Sequence, residues 1–232
     1  MKPSISIIIP ALNEEGNLEV CVKETLGALD DMFGSYEILI FDDGSTDSTG
    51  RIAEELAAGN ENIKVIHNGT TMGFGYNYRE GVKLASCDYI IMVPGDNEMP
   101  GSSIKEILRH VGSADIIIPY IINKEVRSPL RRIISRTGMT FINLLFGLKI
   151  RYYNGPVLHK GDIIKSIPLT TNSFAYQIEA LVRLLKAGYT YVEVGMNIRI
   201  REYGTTKIFR IKNLVNVMTT ITKLFWEINF KR

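Results

Sequence analysis

The feature that most constrains this sequence is an alternation of short, continuously apolar segments with longer segments of helical periodicity. The apolar segments predict strands over residues 4–10, 36–41, 63–67, 89–93 and 114–119. Between them, apolar residues recur every three or four positions, which predicts helices over residues 17–33, 47–58, 75–85 and 102–111. Continuously apolar strands that alternate with helices predict an α/β fold, in which helices cover both faces of a parallel sheet.

The second half of the chain continues with a different pattern. Helices are predicted over residues 127–148 and 174–187, a strand over 191–200, and an amphipathic helix over 208–230. No internal repeat or linker divides the chain, and 232 residues suffice for one large domain. We therefore expect one principal domain over residues 1–207 and a basic, amphipathic C-terminal helix over residues 208–232.

Charge is distributed unevenly along the chain. Residues 1–125 carry 9 Lys and Arg against 20 Asp and Glu, whereas residues 126–232 carry 18 against 5. An acidic half suits a metal cation, and a basic half suits phosphates or lipid headgroups. A nucleic-acid partner is not expected, because the basic half contains no recognised nucleic-acid-binding motif.

Composition excludes several other classes of protein. A chain with 45% hydrophobic and 22% charged residues is expected to fold rather than remain disordered. Cys21 and Cys87 lie in apolar patterns without a CxxC pair, so we expect a reducing compartment and no disulfide framework or zinc site. No signal peptide is visible, and the longest nearly uncharged apolar stretch, residues 138–148, is too short to span a bilayer.

Polar loops follow the first two predicted strands. In the first loop, Pro-Ala-Leu-Asn-Glu-Glu over residues 10–15, Asn13 either caps the next helix or belongs to a ligand site. The second loop begins with Asp42 and Asp43, and Gly44 allows a sharp turn after them. Adjacent carboxylates at the end of an apolar strand repel each other, which favours a functional use such as accepting hydrogen bonds from a base or a sugar.

A third acidic loop, Pro-Gly-Asp-Asn-Glu over residues 94–98, follows the fourth strand. Asp96 and Glu98 together could hold Mg²⁺ or Mn²⁺ through oxygen atoms, although this loop taken alone is more typical of an ordinary polar turn. Ligands of parallel sheets bind beyond the carboxyl ends of the strands. The recurrence of acidic loops after the first, second and fourth strands therefore predicts a functional site at that edge.

These loops and several further segments resemble glycosyltransferase family 2, most closely its polyprenyl-phosphate sugar transferases of the dolichol-phosphate mannose synthase type. The resemblance covers about residues 4–207. It rests on the segments IIIPALNEEGNL, EILIFDDGSTDST, GFGYNYREGVKLA, PGDNE, YQIEALVRLLKAG and REYGTTK. It implies a nucleotide-binding fold of the glycosyltransferase-A type, with helices flanking a mixed, mostly parallel central sheet.

The resemblance implies binding sites for a nucleotide-diphosphate sugar and a metal. Its donor-binding residues are Pro10, Leu12, Asn13, Glu14, Asp42, Asp43, Gly95, Arg201 and Lys207. The family's Asp-x-Asp metal motif is altered here, because Pro94 occupies the first Asp position. Asp96 then matches the second Asp and acts in catalysis, and Asp96 and Glu98 are the implied ligands of Mg²⁺ or Mn²⁺. Arg201 and Lys207 would clamp the donor phosphates, a role that suits a bidentate guanidinium.

The resemblance also implies an acceptor site. Arg131 and Ser135 match a pattern that binds an acceptor phosphate, and Glu179 matches a catalytic segment near the acceptor, although it could also merely flank a core face. Arg131 begins a basic and then apolar segment, and residues 207–232 carry six Lys and Arg, one acid and Trp226. Such segments favour contact with a membrane surface, although packing helices or an oligomer interface would show the same pattern.

The sequence thus predicts an inverting, metal-dependent hexosyltransferase that transfers a sugar from a nucleotide diphosphate to a polyprenyl phosphate. We expect it at the cytoplasmic face of a membrane, bound peripherally and with a homo-oligomer or membrane partner possible. One alternative is transfer to a soluble sugar or protein hydroxyl, for which Glu179 would be the base. Another is a non-catalytic binding protein on a degenerate transferase scaffold, which the substitution by Pro94 favours.

Overall fold

The computed structural model describes residues 2–200 and 211–230. Its seven strands are β1 (Ser4–Ala11), β2 (Ser35–Asp42), β3 (Ile63–His67), β4 (Tyr89–Met92), β5 (Ile116–Ile121), β6 (Leu158–Lys160) and β7 (Tyr191–Met196). They form one sheet in the order β3-β2-β1-β4-β6-β5-β7. All pairs are parallel except those of β6, which runs antiparallel to β4 and β5. The expected mixed, mostly parallel sheet is confirmed.

Helices cover both faces of this sheet. They are α1 (Leu18–Leu29), α2 (Thr49–Ala58), α3 (Phe74–Leu84), α4 (Gly101–Leu108), α5 (Pro129–Phe146), α6 (Gly161–Lys165), α7 (Tyr176–Lys186) and α8 (Ile211–Phe230). Short 3-10 turns follow α1 and β5. Apolar residues of α1 and α4 pack on one face, and those of α3, α7 and α8 pack on the other.

The central strand β1 shows why the first segments are apolar throughout. Ile7 and Ile9 belong to the core on the α1 side, whereas Ile8 belongs to the core on the α3 side. Successive strand residues point to opposite faces, so a strand covered on both sides buries every residue. All three isoleucines are fully buried.

Sequence periodicity did not predict β6 and α6. The three residues of β6 include the buried His159, so the segment shows neither an apolar run nor a regular alternation. The five residues of α6 are too few to establish a helical period. β5 begins and ends two residues later than predicted, and β7 ends at Met196 because pairing with β5 stops there.

The C-terminal helix packs against the rest of the fold through part of its surface. Residues 211–230 are helical, as predicted, and residues 208–210 lie outside the described residues. Ile221 and Leu224 are buried, and the ring centroids of Phe225 and Phe146 lie 6.2 Å apart. The division into a domain over residues 1–207 and a helix over 208–232 stays a prediction.

Candidate functional site at the carboxyl edge of the sheet

The loops that follow β1, β2 and β4 meet at the carboxyl edge of the sheet. Ala11 and Asp42 are paired across β1 and β2. The amide of Asp43 donates to the carbonyl of Ala11 at 2.8 Å, and the amide of Gly95 donates to the carbonyl of Pro10 at 3.0 Å. The predicted donor-binding residues of these three loops are therefore brought together by backbone contacts.

The first loop is held by the second. The backbone of Asn13 has a positive φ of 56°, and its side-chain oxygen accepts a hydrogen bond from the amide of Thr46 at 2.8 Å. The amide of Glu14 donates to the hydroxyl of Thr49 at 2.8 Å. Because α1 begins at Leu18, Asn13 is not its cap, which corrects the simpler of the two interpretations of this residue.

Asp42 is buried at the end of β2. Its Oδ1 accepts a hydrogen bond from the amide of Ser45 at 3.0 Å, and its Oδ2 lies 2.9 Å from Nδ1 of His67. Burial alone would raise the pKa of Asp42, but the bonds from Ser45 and His67 outweigh it and lower the pKa. A Cβ on Gly50 would lie 2.8 Å from Oδ2, so a side chain at this position of α2 would displace the carboxylate.

Asp43 points in another direction and supports the loop before α3. Its Oδ1 accepts from Nδ2 of Asn68 at 2.8 Å and from the amide of Met72 at 2.9 Å. Its Oδ2 accepts from the amide of Gly73 at 3.0 Å. The two adjacent acids thus have separate partners on the two faces of the sheet, which relieves the repulsion expected between them.

The acidic loop after β4 carries the two predicted metal ligands. Oδ1 of Asp96 accepts a hydrogen bond from the amide of Glu98 at 3.1 Å, and both side chains are half-buried. A Cβ on Gly95 would lie 3.2 Å from the Cβ of Ala11, so this loop packs closely on the end of β1. Cys21 lies beneath the loop, where burial, followed by the charge of Asp96, raises its pKa to about 12.

The donor set at this loop fits a Mg²⁺ or Mn²⁺ ion that is shared with a substrate. Residues 2–200 and 211–230 contain no group of three or more His, Cys, Asp or Glu that could hold a metal alone. Asp96 and Glu98 nevertheless provide the one or two carboxylates with which Mg²⁺ is usually held, its other ligands being water and substrate phosphates.

Sequence reasoning missed Arg199, which contacts the same loop. Its Nε donates to the carbonyl of Asn97 at 2.7 Å, and its amide donates to the carbonyl of Glu98 at 2.9 Å. The available signal was its position near the end of the strand predicted over residues 191–200, which leads to the same edge. Arg201 and Lys207, the predicted phosphate clamp, lie outside the described residues.

Glu179 lies in α7 and is buried rather than open to a ligand. Its Oε2 accepts hydrogen bonds from the amides of Thr170 and Thr171, each at 3.0 Å. Its Oε1 accepts from the hydroxyl of Thr170 at 2.8 Å and lies 3.1 Å from Nη2 of Arg183. These contacts hold the loop before α7. They agree with the second interpretation of Glu179, in which its carboxylate flanks the core.

The predicted acceptor residues lie on α5. Arg131 and Ser135 are four residues apart, so they share one face of the helix. β5, which precedes α5, is parallel to β7 and has its carboxyl end at the same edge as β4. Arg127, which precedes α5, donates to the hydroxyl of Tyr152 at 3.0 Å and was not singled out by the sequence.

Both α5 and α8 expose apolar side chains. Leu130, Ile133 and Leu144 of α5 are 67%, 63% and 80% exposed. On α8, the exposed large apolar residues are Leu214, Val215, Met218, Trp226 and Phe230. Across residues 2–200 and 211–230, no helix combines the length and apolarity needed to cross a bilayer.

Comparisons with known proteins agree with this geometry. The sequence model of glycosyl transferase family 2 matches residues 6–163. The chain is 29% identical over 218 residues to a polyprenol monophosphomannose synthase of Mycolicibacterium smegmatis, covering 87% of this chain and 80% of that protein. It is 28% identical over 214 residues to an undecaprenyl-phosphate mannosyltransferase of Micrococcus luteus, covering 87% of this chain and 86% of that protein.

A solved structure shows the same fold. A glucosyl-3-phosphoglycerate synthase of Mycobacterium tuberculosis, in complex with Mn²⁺, uridine diphosphate and glucosyl-3-phosphoglycerate, superimposes with a TM-score of 0.71. The match covers 97% of this chain and 80% of that chain at 15% identity. The likeness confirms the expected glycosyltransferase-A type fold.

Proposed function

The chain belongs to glycosyltransferase family 2, and on that premise we propose that it transfers a sugar from a nucleotide diphosphate to a polyprenyl phosphate. The observation that carries the proposal is the shared edge of the sheet. The acidic loop with Asp96 and Glu98 and the basic start of α5 both follow the carboxyl ends of strands at this edge. The names of the two similar enzymes, which include polyprenol or undecaprenyl phosphate, support a lipid phosphate as acceptor.

The donor would lie across the loops after β1, β2 and β4. The nucleoside would rest against Pro10, Leu12 and Asn13, with Asp42 accepting a hydrogen bond from the base or the ribose. Its diphosphate would extend towards Gly95 and Asp96, because the loop that carries them packs on the end of β1. The hydrogen bonds between the loops hold this surface in one conformation, which limits the reorganisation needed on binding.

The diphosphate would be bound by a metal ion and by basic side chains. Asp96 and Glu98 would hold Mg²⁺ or Mn²⁺, which when bound supplies charge neutralisation for a leaving diphosphate. Arg201 and Lys207 would contribute positive charge and hydrogen bonds to the same diphosphate. This arrangement gives metal dependence, although the family's first Asp is replaced by Pro94.

The acceptor phosphate would approach from α5. Arg131 and Ser135, on one face of the helix, would bind it, while the exposed apolar side chains of α5 would face the lipid. A phosphate oxygen is already ionised at neutral pH and can attack the anomeric carbon without a strong base. Glu179 would then position the loop before α7 rather than accept a proton, because both of its oxygens are engaged within the fold.

Transfer to a soluble hydroxyl would need a carboxylate base, and the contacts of Glu179 disfavour that alternative.

The reaction would take place at the cytoplasmic face of a membrane, with the lipid chain of the acceptor left in the bilayer. Peripheral binding through α5 and α8 would bring the sheet edge to the headgroup layer.

A donor screen followed by an acceptor comparison tests the proposed function. Uridine and guanosine diphosphates are first added with Mn²⁺ or with a chelator, and we expect a rise in melting temperature that requires Mn²⁺. The matching nucleotide sugar is then offered with undecaprenyl phosphate or with a soluble sugar. Transfer to the lipid phosphate supports the proposal. Faster transfer to the soluble sugar, or no nucleotide binding, would show that it is wrong.

A further inference from the structure

The side chain of Arg199 joins three separate parts of the fold. Besides its bond to the carbonyl of Asn97, its Nη2 donates to Oδ1 of Asn97 at 2.5 Å. The same Nη2 lies 2.8 Å from Oε2 of Glu24 in α1. That carboxylate oxygen also accepts a hydrogen bond from the amide of Gly101, the first residue of α4, at 2.6 Å.

Arg199 holds both the main chain and the side chain of the acidic loop at Asn97. The main chain of Asn97 has a positive φ of 55°, a conformation that Asn adopts more readily than most residues but that still has to be held by its surroundings. Arg199 bonds the carbonyl and the side chain of Asn97 and, through its own amide, the carbonyl of Glu98. Asp96 and Glu98 flank Asn97, so the direction of both carboxylates depends on this one conformation.

The charge of Arg199 is already compensated, which decides what the residue can contribute. A free cation beside Asp96 and Glu98 would compete with a divalent metal for the two carboxylates. Glu24 pairs with Arg199, so the pair adds little net charge near the loop. The planar guanidinium instead supplies hydrogen bonds in fixed directions, a geometric contribution that a lysine would not reproduce.

We propose that Arg199 is a positioning residue that holds the loop 96–98 in the conformation needed for metal and diphosphate binding. The inference rests on the proposed function, because it assigns the loop to the metal. Residues that orient metal ligands from behind typically change metal affinity or activity by about 10-fold to 100-fold when they are removed. Arg199 holds that position relative to Asp96 and Glu98, with Glu24 as its anchor in α1.

The test measures metal affinity and loop dynamics rather than turnover. Mn²⁺ is titrated into wild-type protein and Arg199→Ala in the presence of uridine or guanosine diphosphate, and free Mn²⁺ is followed by electron paramagnetic resonance. We expect Arg199→Ala to weaken Mn²⁺ binding about 10-fold or more. Without metal, hydrogen exchange in a peptide covering residues 94–100 should accelerate. Arg109→Ala is the matched control, since Arg109 pairs with Glu106 on the surface of α4.

A second variant keeps the test decisive if Arg199→Ala folds poorly. Glu24→Gln removes the ion pair but leaves an oxygen to accept from Gly101, so we expect a smaller loss of Mn²⁺ affinity in the same direction. Unchanged Mn²⁺ affinity and unchanged exchange in both folded variants would overturn the inference. If the wild-type protein itself binds no Mn²⁺ with either nucleotide, the proposed metal site is wrong, which is a different outcome.

Discussion

The two regions proposed to bind the donor and the acceptor, called here the donor side and the acceptor side of the carboxyl edge, are built in opposite ways. On the donor side, the loops after β1, β2 and β4 bond to one another and also to the segments that precede α3 and follow β7, as the contacts of Asn13, Asp43 and Arg199 show. On the acceptor side, α5 exposes Arg132 and Arg136, and it also exposes apolar side chains along its length. The first arrangement suits a soluble, rigid ligand that fits a preformed surface. The second suits a ligand that arrives with an apolar surface of its own, such as a lipid in a bilayer.

The largest expected effect comes from a substitution that impairs the donor side and leaves the acceptor side unchanged. Asp96→Ala removes a proposed metal ligand, and loss of several kcal/mol of charge stabilisation corresponds to about 100-fold to 1000-fold in rate. The fold should persist, because the hydrogen bond from the amide of Glu98 to Asp96 lies within one loop. Initial rates of transfer and the melting temperature of the same preparation measure the two effects separately.

Two controls accompany this measurement. Glu61→Ala removes an exposed carboxylate before β3, at the opposite edge of the sheet, and should leave transfer unchanged. Liposome binding by Asp96→Ala should also stay normal, because the variant leaves α5 and α8 intact. Full transfer activity in Asp96→Ala would remove the metal from the mechanism.

The next effect arises in the core of the second half. His159 is fully buried in β6, and burial lowers its pKa to about 4. Because its folded pKa is below the unfolded value of about 6.5, its contribution to stability is present above pH 6.5 and is lost as the pH falls towards 4. Between pH 6.5 and 5 this loss is about 2 kcal/mol, at 1.36 kcal/mol per pH unit for one proton.

Urea unfolding at pH 7 and pH 5 measures this loss, with His159→Gln as the comparison. The variant carries no titrating ring, so its stability should fall less between the two pH values, whatever its stability at pH 7. Gln177 is the polar neighbour of His159, and among the described residues neither ring nitrogen has a hydrogen-bond partner. Equal losses in both proteins would mean that another group causes the acid sensitivity.

The two halves also differ in how far the sequence predicted them. Strands β1 to β4 were predicted because each is an apolar run followed by a polar loop. Because helices alternate with these strands, the strands were expected to be parallel, with their carboxyl ends at one edge of the sheet. The contacts of Asp43 could not be predicted, since Asn68 and Gly73 reach it only through the turn before α3. In the second half, β6 escaped detection because it has three residues and pairs with strands distant in sequence.

The candidate site divides in the same way. Motifs indicated Asp42 and Asp96, whose loops the fold does bring together. Arg199 was missed because its role depends on a contact across 102 residues of chain, between the segment after β7 and the loop after β4. Glu179 shows the converse, because a motif indicated it and the structure engages both of its oxygens. Long-range contacts decide whether a polar residue is available, and periodicity does not record them.

A smaller effect sharpens the acceptor side of the comparison. Arg132 is exposed on α5, and a basic residue near an anionic bilayer contributes about 1 kcal/mol to binding. Arg132→Gln should therefore weaken binding to vesicles of phosphatidylcholine and phosphatidylglycerol about fivefold at low salt, with little effect at high salt. Flotation measures this, and Arg109→Gln, at the C-terminal end of α4, is the control. Equal losses in the two variants would indicate attraction by net charge rather than a face formed by α5.

The smallest effect concerns the histidine of the donor side, whose pH dependence has the opposite sign to that of His159. Hydrogen bonds to Asp42 and then Glu54 raise the pKa of His67. Its stabilisation is therefore complete below the unfolded value of about 6.5 and is lost as the pH rises through the folded pKa. The side chain is 47% exposed, so solvent screening limits the effect to about 0.2–1 kcal/mol. Urea unfolding at pH 6 and pH 8 should show that His67→Gln loses less stability than the wild type on alkalinisation, and high salt should reduce the difference. A difference of the opposite sign would mean that the ring is neutral in the fold, and that Asp42 is held by a neutral hydrogen bond.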